Sequence, residues 1–466
     1  MTTTSSSLSE PHFASPREAF NPLQHRPHKT FFFYLKALAA TAAFRIWPVL
    51  LFMAGWASMV ISVTKYTAAN LAIPNTMITV LGVLLGLTLS YRTSSAYEKY
   101  SEGRRMWSAI ILVSRTWARA VWIHCPDTVL SEPATDPQEK ARDFARGVIE
   151  KKTMVQLALG FAVAVKHYLR YEEGIHYEDL YPLVNFIPAL DLPSGLPSET
   201  DTHIAAGLPS FGAVGAYAGS GSSAASTHEK TYTHGPKLAP ANAPPHFEWD
   251  NLLPQRLFGK KTKKAQKEEL RTCAHGVGHN VPLEITMFMS SWVNTMQHRK
   301  TIDVPTINVL LAAIASMNDS LVNLERILTT PIPWSYNAHI WQVSWIYCMA
   351  LPFQLVSGFG WITVPAVLIT AYIVMGYASI AGEIENPFGY DPNDLNLGYF
   401  CQEVIAKELD ATTARPFPDP AQWIFSSSNQ ILGPNMPAAD RLADMSVQEI
   451  RARLASAPGY FSPQHV

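Results

Sequence analysis

Charged residues are scarce in this sequence. Aspartate, glutamate, lysine and arginine make up 16% of its 466 residues, and the formal net charge is −1. So small a net charge produces no field that would attract a polyanion to the whole chain. Nucleic acid is therefore not expected as a partner, and any electrostatic role is expected to be local.

Cysteines and catalytic motifs are also few. The four cysteines are far apart and form no CxxC pair, so neither a disulfide scaffold nor a zinc site is indicated. The sequence has no acid and base pair, phosphate-binding loop or GxSxG turn, which argues against an enzyme. The nearest metal motif is CAHGVGH, with Cys273, His275 and His279. Its glycines oppose the rigid helix that would hold two histidines on one face.

Long apolar runs are what the sequence does have, since hydrophobic residues reach 48%. Ile46–Ala68 is long enough to cross a membrane, which takes about 20 helical residues, and Thr76–Tyr91 follows after a short break. A second pair is Ile340–Val356 and Trp361–Ile380, separated by a Ser-Gly-Phe-Gly turn. The sequence therefore predicts a multi-pass membrane protein with two transmembrane hairpins.

The basic flanks of the first hairpin indicate its orientation. Lysines and arginines lie before and after it, whereas only Lys65 lies near the connection between its helices. The positive-inside rule places both flanks in the cytoplasm, and an even number of crossings places both termini there too. We expect the plasma membrane, with an internal membrane as the alternative. The basic residues on the two flanks are Arg26, Lys29, Lys36, Arg45, Arg92, Lys99, Arg104 and Arg105.

Between the hairpins, helical patterns too short or too charged to span a membrane predict cytoplasmic helices. A Pro-, Gly- and Ser-rich stretch, 190–254, has too few apolar side chains to offset the entropy of ordering, so we expect a disordered insertion. The basic run Gly259–Lys267 after it is interpreted as a solvated helix start, with contact to anionic lipid headgroups as the alternative. The predicted helices are Trp107–His124, Lys152–Tyr171, Pro282–Gln297 and Thr306–Leu328.

These features predict an all-α integral membrane protein with four transmembrane helices in two hairpins and a helical cytoplasmic domain. The predicted regions are a polar N-terminal tail (1–30), the first hairpin (31–106), cytoplasmic helices (107–189), the insertion (190–254), further cytoplasmic helices (255–334), the second hairpin (335–381), an acidic turn with a following helix (382–409) and a C-terminal tail (410–466).

The second span has a repeat of four residues on one face. Gly82 and Gly86 form a small-xxx-small pair on a neighbouring stripe. Two interpretations are open, namely packing within a helix bundle, or a pore in which each of several copies contributes an apolar rung. The residues that share the repeating face are Thr76, Val80, Leu84 and Thr88.

The acidic segment GEIENPFGYDPNDLNL, Gly382–Leu397, directly follows the fourth span. Asp391, Asn393 and Asp394 offer oxygen ligands of the kind that calcium takes. In the alternative interpretation, Asn386 and the two aspartates cap turns and helix starts through side-chain hydrogen bonds. The local composition alone favours capping.

Three segments together resemble the bestrophin family, including its bacterial, plant and fungal members. They are Leu81–Trp107, Leu324–Gln342 and Gly382–Leu397, and they occur in the family's order and at its positions relative to the four spans. The NPFG motif directly after a span is the most specific of them. The resemblance implies a pentameric channel whose second helix lines a narrow apolar neck and whose cytoplasmic helices enclose a vestibule.

The same resemblance implies particular pore residues. Carried over by position, the neck rungs are Thr76, Val80 and Leu84, which are smaller than the family's Ile and Phe rungs. A wider or less hydrophobic constriction is therefore expected. A count back from the TPIP segment places a second, cytoplasmic constriction at Ile314, for which a buried core position is the alternative.

Calcium is the one candidate cofactor. In calcium-gated animal bestrophins, a clasp uses the NPFG region. The matching positions are the backbone carbonyls of Glu383 and Asn386 and the carboxylates of Asp391 and Asp394. Fewer carboxylates lower the expected affinity. Acidic residues of the animal pattern are replaced here by Tyr390, Pro392 and Asn393.

The sequence thus predicts a homopentameric ion channel, not an enzyme, in a lipid bilayer. It is expected to pass small inorganic ions through a neck that selects by size and dehydration. The resemblance to eukaryotic members of the family implies chloride and other small anions ahead of cations. The alternatives are a cation channel of the same fold, a membrane-embedded enzyme or regulator acting at lipid headgroups through His275 and His279, and a scaffold whose insertion binds partners.

Overall fold

The structure is a computed structural model that describes residues 42–67, 71–74, 76–130, 136–172, 174–188, 190, 192, 239–242, 280–391, 393–433 and 436–456. These residues are mainly helical, which confirms the predicted class, and the only β-structure among them is an isolated bridge between Tyr177 and Ala239. The chain divides into two compact units, Met1–Leu409 and Asp410–Val466.

The described helices follow in chain order. They are α1 (Ala42–Tyr66), α2 (Thr76–Arg119) with a π-helical turn (Ala120–His124), α3 (Pro137–Leu169), α4 (Tyr181–Val184), α5 (Val281–Arg299), α6 (Val304–Thr329), α7 (Trp334–Phe359) with a 3₁₀ turn (Gly360–Ile362), α8 (Thr363–Ile384), α9 (Leu397–Tyr399) with a π-helical segment (Phe400–Ala406), α10 (Lys407–Thr413), α11 (Pro420–Ile424), α12 (Ala439–Ala443) and α13 (Val447–Ser456).

The first of two hydrophobic cores joins α1, the start of α2, α7 and α8. On α1, Met53 and Ala57 lie one helical turn apart and are fully buried in it. The Trp56 indole N–H donates to the Met349 carbonyl of α7 at 3.0 Å. These helices therefore form a bundle whose remaining surface is largely apolar.

Three segments of the described chain are long and apolar enough to cross a membrane. Ile46–Tyr66 matches the predicted first span, and the 51 residues of Trp334–Ile384 hold both helices of the predicted second hairpin. The third segment is Val304–Thr329, for which the sequence predicts a cytoplasmic helix, whereas the short apolar start of α2 is not among the three. Four crossings therefore do not follow from hydropathy alone.

The second hydrophobic core joins the rest of α2 to α3, α5, α6 and the segment after α8. Trp107 and Trp117 of α2 are fully buried there. Sequence patterns predict a separate helix starting at Trp107, but α2 runs unbroken through both cores for 44 residues. A single rigid helix thus links the bundle to the second core.

Helix α3 also begins earlier than predicted, at Pro137 instead of Lys152. The Asp136 side chain accepts a hydrogen bond from the Gln138 N–H at 3.2 Å, and Pro137 occupies the first helical turn. Both are favourable helix-start features. The apolar periodicity of the sequence marks only the buried second half of this helix.

The smaller unit contains α11, α12 and α13. The Asp419 carboxylate caps α11 by accepting from the Ala421 N–H at 3.0 Å. Before α13, Ser446 and Glu449 form a reciprocal capping box, in which each side chain accepts from the other residue's backbone N–H. These caps account for short helices in a segment of low hydrophobicity.

Candidate functional site

One face of α2 in the first core carries exposed apolar side chains. Val80, Leu84 and Leu87 are 58%, 55% and 64% exposed, whereas Leu85 on the opposite face is 2% exposed. The predicted neck residues Val80 and Leu84 therefore point away from the protein's own bundle. The side chain of Thr76, the third predicted neck residue, lies outside the described ones.

The predicted glycine pair of α2 has two different environments. A Cβ at Gly82 would lie 3.2 Å from the Tyr347 hydroxyl of α7, so Gly82 permits close packing within the bundle. Gly86 is exposed, and a Cβ there would meet nothing within 4 Å. The two glycines therefore do not form one interface, since Gly82 packs within the bundle and Gly86 is exposed.

Arg92 ends the apolar run of α2 and is almost completely buried. Its Nη1 donates to the Ala378 carbonyl of α8 at 3.0 Å, while its Nε has no partner among the described residues. The sequence counts Arg92 among the basic residues that flank the first hairpin. The structure adds that its guanidinium is inside the protein, where it ties α2 to α8.

The TPIP loop between α6 and α7 is held by two charged side chains. Lys99 of α2 donates to the Thr330 carbonyl at 2.8 Å, and the Ile332 N–H donates to the Glu385 carboxylate at 2.6 Å. Lys99 and Glu385 are themselves 3.7 Å apart. This cluster joins α2, the TPIP loop and the end of α8 where the two cores meet.

The NPFG turn after α8 packs into the second core. Phe388 is fully buried, and a Cβ at Gly103 of α2 would lie only 3.0 Å from its ring. Gly103 therefore leaves the space that the aromatic ring fills. The Leu395 N–H donates to the Pro387 carbonyl at 2.9 Å and closes the turn.

A protein-family model described as "Bacterial/Fungal Bestrophin protein" matches residues 22–206 and 251–410 of this chain. The chain belongs to the bestrophin family. Among curated proteins it is similar to a "Voltage-dependent anion channel-forming protein" of Synechocystis, at 27% identity over 335 residues, 72% of this chain and 76% of the relative. A protein of the same description from Nostoc is 24% identical, again over 72% of this chain and 76% of its own length.

Solved structures of a bacterial bestrophin homologue from Klebsiella pneumoniae have the same fold. One of them, determined by Zn-SAD phasing, has a TM-score of 0.50 at 18% identity and covers 79% of this chain and 98% of its own. A structure of the same homologue with a single mutation gives a TM-score of 0.51 over 80% and 99%. The family and the Synechocystis and Nostoc relatives are channels, not enzymes, which confirms the expectation that this chain is not an enzyme.

Within this bestrophin fold, Ile314 is not placed to line a constriction. It is 5% exposed and belongs to the second core. A side chain covered by its own subunit cannot form a ring around a shared axis, so the alternative of a core position is the correct one. The exposed side of α6 near it carries Leu311 and Ala315.

The four predicted calcium ligands lie at the end of α8 and on the turn after it, where several of their side chains accept hydrogen bonds. The Asp394 carboxylate accepts from the Asp391 N–H at 2.8 Å, and Asn386 accepts from the Phe388 N–H at 3.3 Å. Glu383 accepts from Asn393 at 2.8 Å. Among the described residues, no three acidic, histidine or cysteine side chains are grouped as metal ligands would be. The described contacts are those of the capping alternative. The predicted metal ligands are Glu383, Asn386, Asp391 and Asp394.

Burial raises the pKa of Asp394 from 3.8 to about 7, and the charges of Asp391 and Glu383 act in the same direction. A pKa raised by folding stabilises the fold at low pH, and that contribution is lost as the pH rises through about 7. We expect the thermal midpoint of the wild type to fall more between pH 5 and pH 8 than that of Asp394→Asn. Equal pH dependence in both would contradict this, and Asp444→Asn, at an exposed site, is the control.

Arg170, directly after α3, binds the backbone of the NPFG turn. The sequence did not predict this role. Its Nε donates to the Phe388 carbonyl at 3.0 Å and its Nη2 to the Gly389 carbonyl at 3.2 Å. Its guanidinium lies over the Tyr390 ring, 3.9 Å from the centroid. Nothing in the local sequence of α3 indicates this role, because the partners lie about 220 residues away.

A buried ionic cluster lies next to Arg170. Lys166, fully buried, donates to Asp179 at 2.5 Å, and the His167 ring bonds to Asp179 at 2.9 Å and to Glu172 at 2.5 Å. Although burial opposes ionisation, the His167 hydrogen bond and the Lys166 charge hold the pKa of Asp179 below its usual value. Removing one member would leave a buried charge without its partner.

Part of the predicted insertion packs on this ionic cluster. The Ala241 carbonyl accepts from Lys166 at 2.8 Å, and the Glu178 N–H donates to the Ala239 carbonyl at 2.9 Å. The prediction of disorder over 190–254 did not foresee these contacts. Most of that stretch lies outside the described residues, as do the basic run 259–267 and the Cys273, His275 and His279 motif.

Proposed function

We propose that this bestrophin is an oligomeric channel, with five subunits as the family resemblance implies, that conducts small anions such as chloride. The exposed apolar face of α2 carries the proposal. Val80 and Leu84 project from a helix whose opposite side is buried in its own bundle. Copies arranged around an axis would bury this face and enclose an apolar neck, to which Thr76 would add the first rung.

The proposed channel crosses the membrane four times, through α1, the start of α2, α7 and α8. Although α6 is apolar enough to cross, its buried side chains belong to the second core, and its Arg326 pairs with Glu102 of α2 at 2.5 Å. A helix covered by protein on one side and paired through charges is better placed outside the bilayer. Both termini would then be cytoplasmic, and we expect the plasma membrane.

Anion conduction is supported by the names of the Synechocystis and Nostoc relatives and by the neck itself. The stretch of α2 from Thr76 to Tyr91 contains no acidic residue that would attract cations into the neck. An apolar constriction selects by size and dehydration, which favours large, weakly hydrated anions. Cation conduction by the same fold is the second candidate, because the neck also lacks a basic ring.

The decisive experiment is a bilayer recording from purified, reconstituted protein in asymmetric sodium chloride. We expect the reversal potential to shift towards the chloride equilibrium potential. A shift towards the sodium potential would favour the cation channel, and the absence of any current would overturn the channel assignment. The oligomer size in detergent provides an independent check, because a monomer cannot form this neck.

We also propose that conduction does not require calcium. The side chains of Asp394, Glu383 and Asn386 accept hydrogen bonds from their own turn. Tyr390, Pro392 and Asn393 stand where the animal pattern has acidic residues, and fewer carboxylates lower the expected calcium affinity. We expect chelation with EGTA to leave the currents unchanged, and Asp391→Ala to conduct as the wild type does. Currents that disappear on chelation and return with added calcium would contradict this proposal.

A further inference from the structure

A cleft of about 310 Å³ lies between the end of α2 and the start of α6. A volume near 300 Å³ is at the lower end of the range of small-molecule sites. The π-helical turn Ala120–His124 forms one wall, and the first turn of α6 forms the other. The cleft lies far along the chain from the α2 neck and from the NPFG turn, and neither uses its residues.

The cleft contains charged groups of both signs. Arg119 and His124 lie on the α2 side, and Asp303 lies on the α6 side. Within the part of the chain that the structure describes, none of these three side chains makes a hydrogen bond or an ion pair. Both a cation and an anion are therefore available to a ligand in one small cleft.

The wall formed by α6 adds neutral donors. Asp303 is the N-cap of this 26-residue helix, yet its side chain caps none of the first amides. Pro305 in the first turn has no N–H, so the amides of Val304 and Thr306 are the donors left free. Amides at a helix start favour a negatively charged group.

Thr306 is the observation that points to a ligand. It lines the cleft, is 8% exposed, and its hydroxyl has no hydrogen-bond partner among the described residues. The Thr306 hydroxyl is not among the fully enclosed polar atoms without a partner, so it opens onto the cleft and is free to hydrogen-bond a ligand there. A ligand atom in the cleft would provide the missing partner.

We propose that this cleft binds a small zwitterion of the amino-acid class. The carboxylate would lie against Arg119, the Thr306 hydroxyl and the first amides of α6, and the ammonium group would lie against Asp303. A simple anion would meet the positive groups but would face the Asp303 carboxylate unopposed. A ligand with both charges satisfies both sides of the cleft, and the site does not depend on ion conduction.

The test is isothermal titration calorimetry on the full chain in nanodiscs, with glycine, leucine, acetate and methylammonium as probes. We expect glycine or leucine to bind, and acetate and methylammonium to bind at least about tenfold more weakly, since each loses one charged contact. Arg119→Gln, Asp303→Asn and Thr306→Val should each weaken amino-acid binding. Arg146→Gln and Glu139→Gln, at exposed positions of α3, are the matched controls and should leave it unchanged.

Three results would overturn the proposal. The first is that neither amino acid binds. The second is that acetate binds as tightly as glycine and binds more tightly still to Asp303→Asn, which would indicate a plain anion site. The third is that the cleft variants change the oligomer size in the absence of ligand, which would indicate an interface between copies. Conduction is recorded separately on the same variants, so a failure of this site leaves the channel assignment intact.

Discussion

Replacing Leu84 by Ala is expected to raise the single-channel conductance severalfold, and replacing it by Phe is expected to lower it severalfold. Leu84 is half exposed on the apolar face of α2 that we assign to the neck. The conductance of an apolar neck depends on its radius and on how easily it dewets. Val80→Ala and Val80→Phe should act in the same directions, because Val80 lies one turn earlier on that face.

The control for these variants is Leu51 of α1. It is 62% exposed and apolar, but it lies on a helix that the proposal does not place at the pore. Leu51→Ala and Leu51→Phe should conduct as the wild type does. If the Leu84 and Val80 variants also conduct like the wild type, the pore axis does not run along this face.

Helix geometry extends the neck face beyond the predicted residues. At about 100° per residue, Val80, Leu84 and Leu87 fall within about 60° of one another, whereas Thr88 is displaced by about 80° from Val80. The Thr88 hydroxyl donates to the Leu85 carbonyl of its own helix at 2.9 Å. A repeat of four residues therefore stays on the neck face for only about two helical turns. Leu87 lies on that face, so Leu87→Ala is also expected to raise the conductance.

Phe388→Ala is expected to have the largest effect on stability. The ring is fully buried in the second core, where it fills the space left by Gly103. Truncating a buried aromatic side chain typically lowers the free energy of unfolding by about 3 to 5 kcal/mol. The thermal midpoint, followed by tryptophan fluorescence in detergent, should fall clearly below that of the wild type.

Phe417 provides a matched control for this prediction. It is 62% exposed in the smaller unit, so Phe417→Ala removes the same ring from a site with little packing. We expect no measurable change in its thermal midpoint. Equal midpoints for Phe388→Ala and the wild type would show that the NPFG turn does not pack into the second core.

The motif segments that carry the family resemblance lie far apart in sequence but meet at the junction between the two cores. Arg92 of α2 bonds to α8, and Lys99 and Glu385 hold the TPIP loop between them. Arg170 reaches the NPFG turn from the end of α3. All three motif segments therefore meet in a single region. A movement of the bundle helices there would also displace residues of the second core.

The sequence by itself determined the helical class, the first span, the second hairpin and the family. These depend on the length of apolar runs and on local motifs, which are properties of neighbouring residues. Val281–Arg299 and Val304–Thr329 lie within two residues of their predicted ends for the same reason. Helical spacing placed Val80 and Leu84 on one face of α2, but it left open whether that face packs within the bundle.

Only the tertiary structure decided what surrounds each side chain. Arg92 is one of the basic residues that flank the first hairpin, yet it is buried against α8. Ile314 has an apolar side chain of the kind that lines a pore, yet it packs in the second core. The acidic residues near NPFG have the composition of a calcium site, and the structure shows that Asp394 and Glu383 each accept a hydrogen bond from the turn. Burial and hydrogen-bond partners come from residues distant in the chain, and no local pattern encodes them.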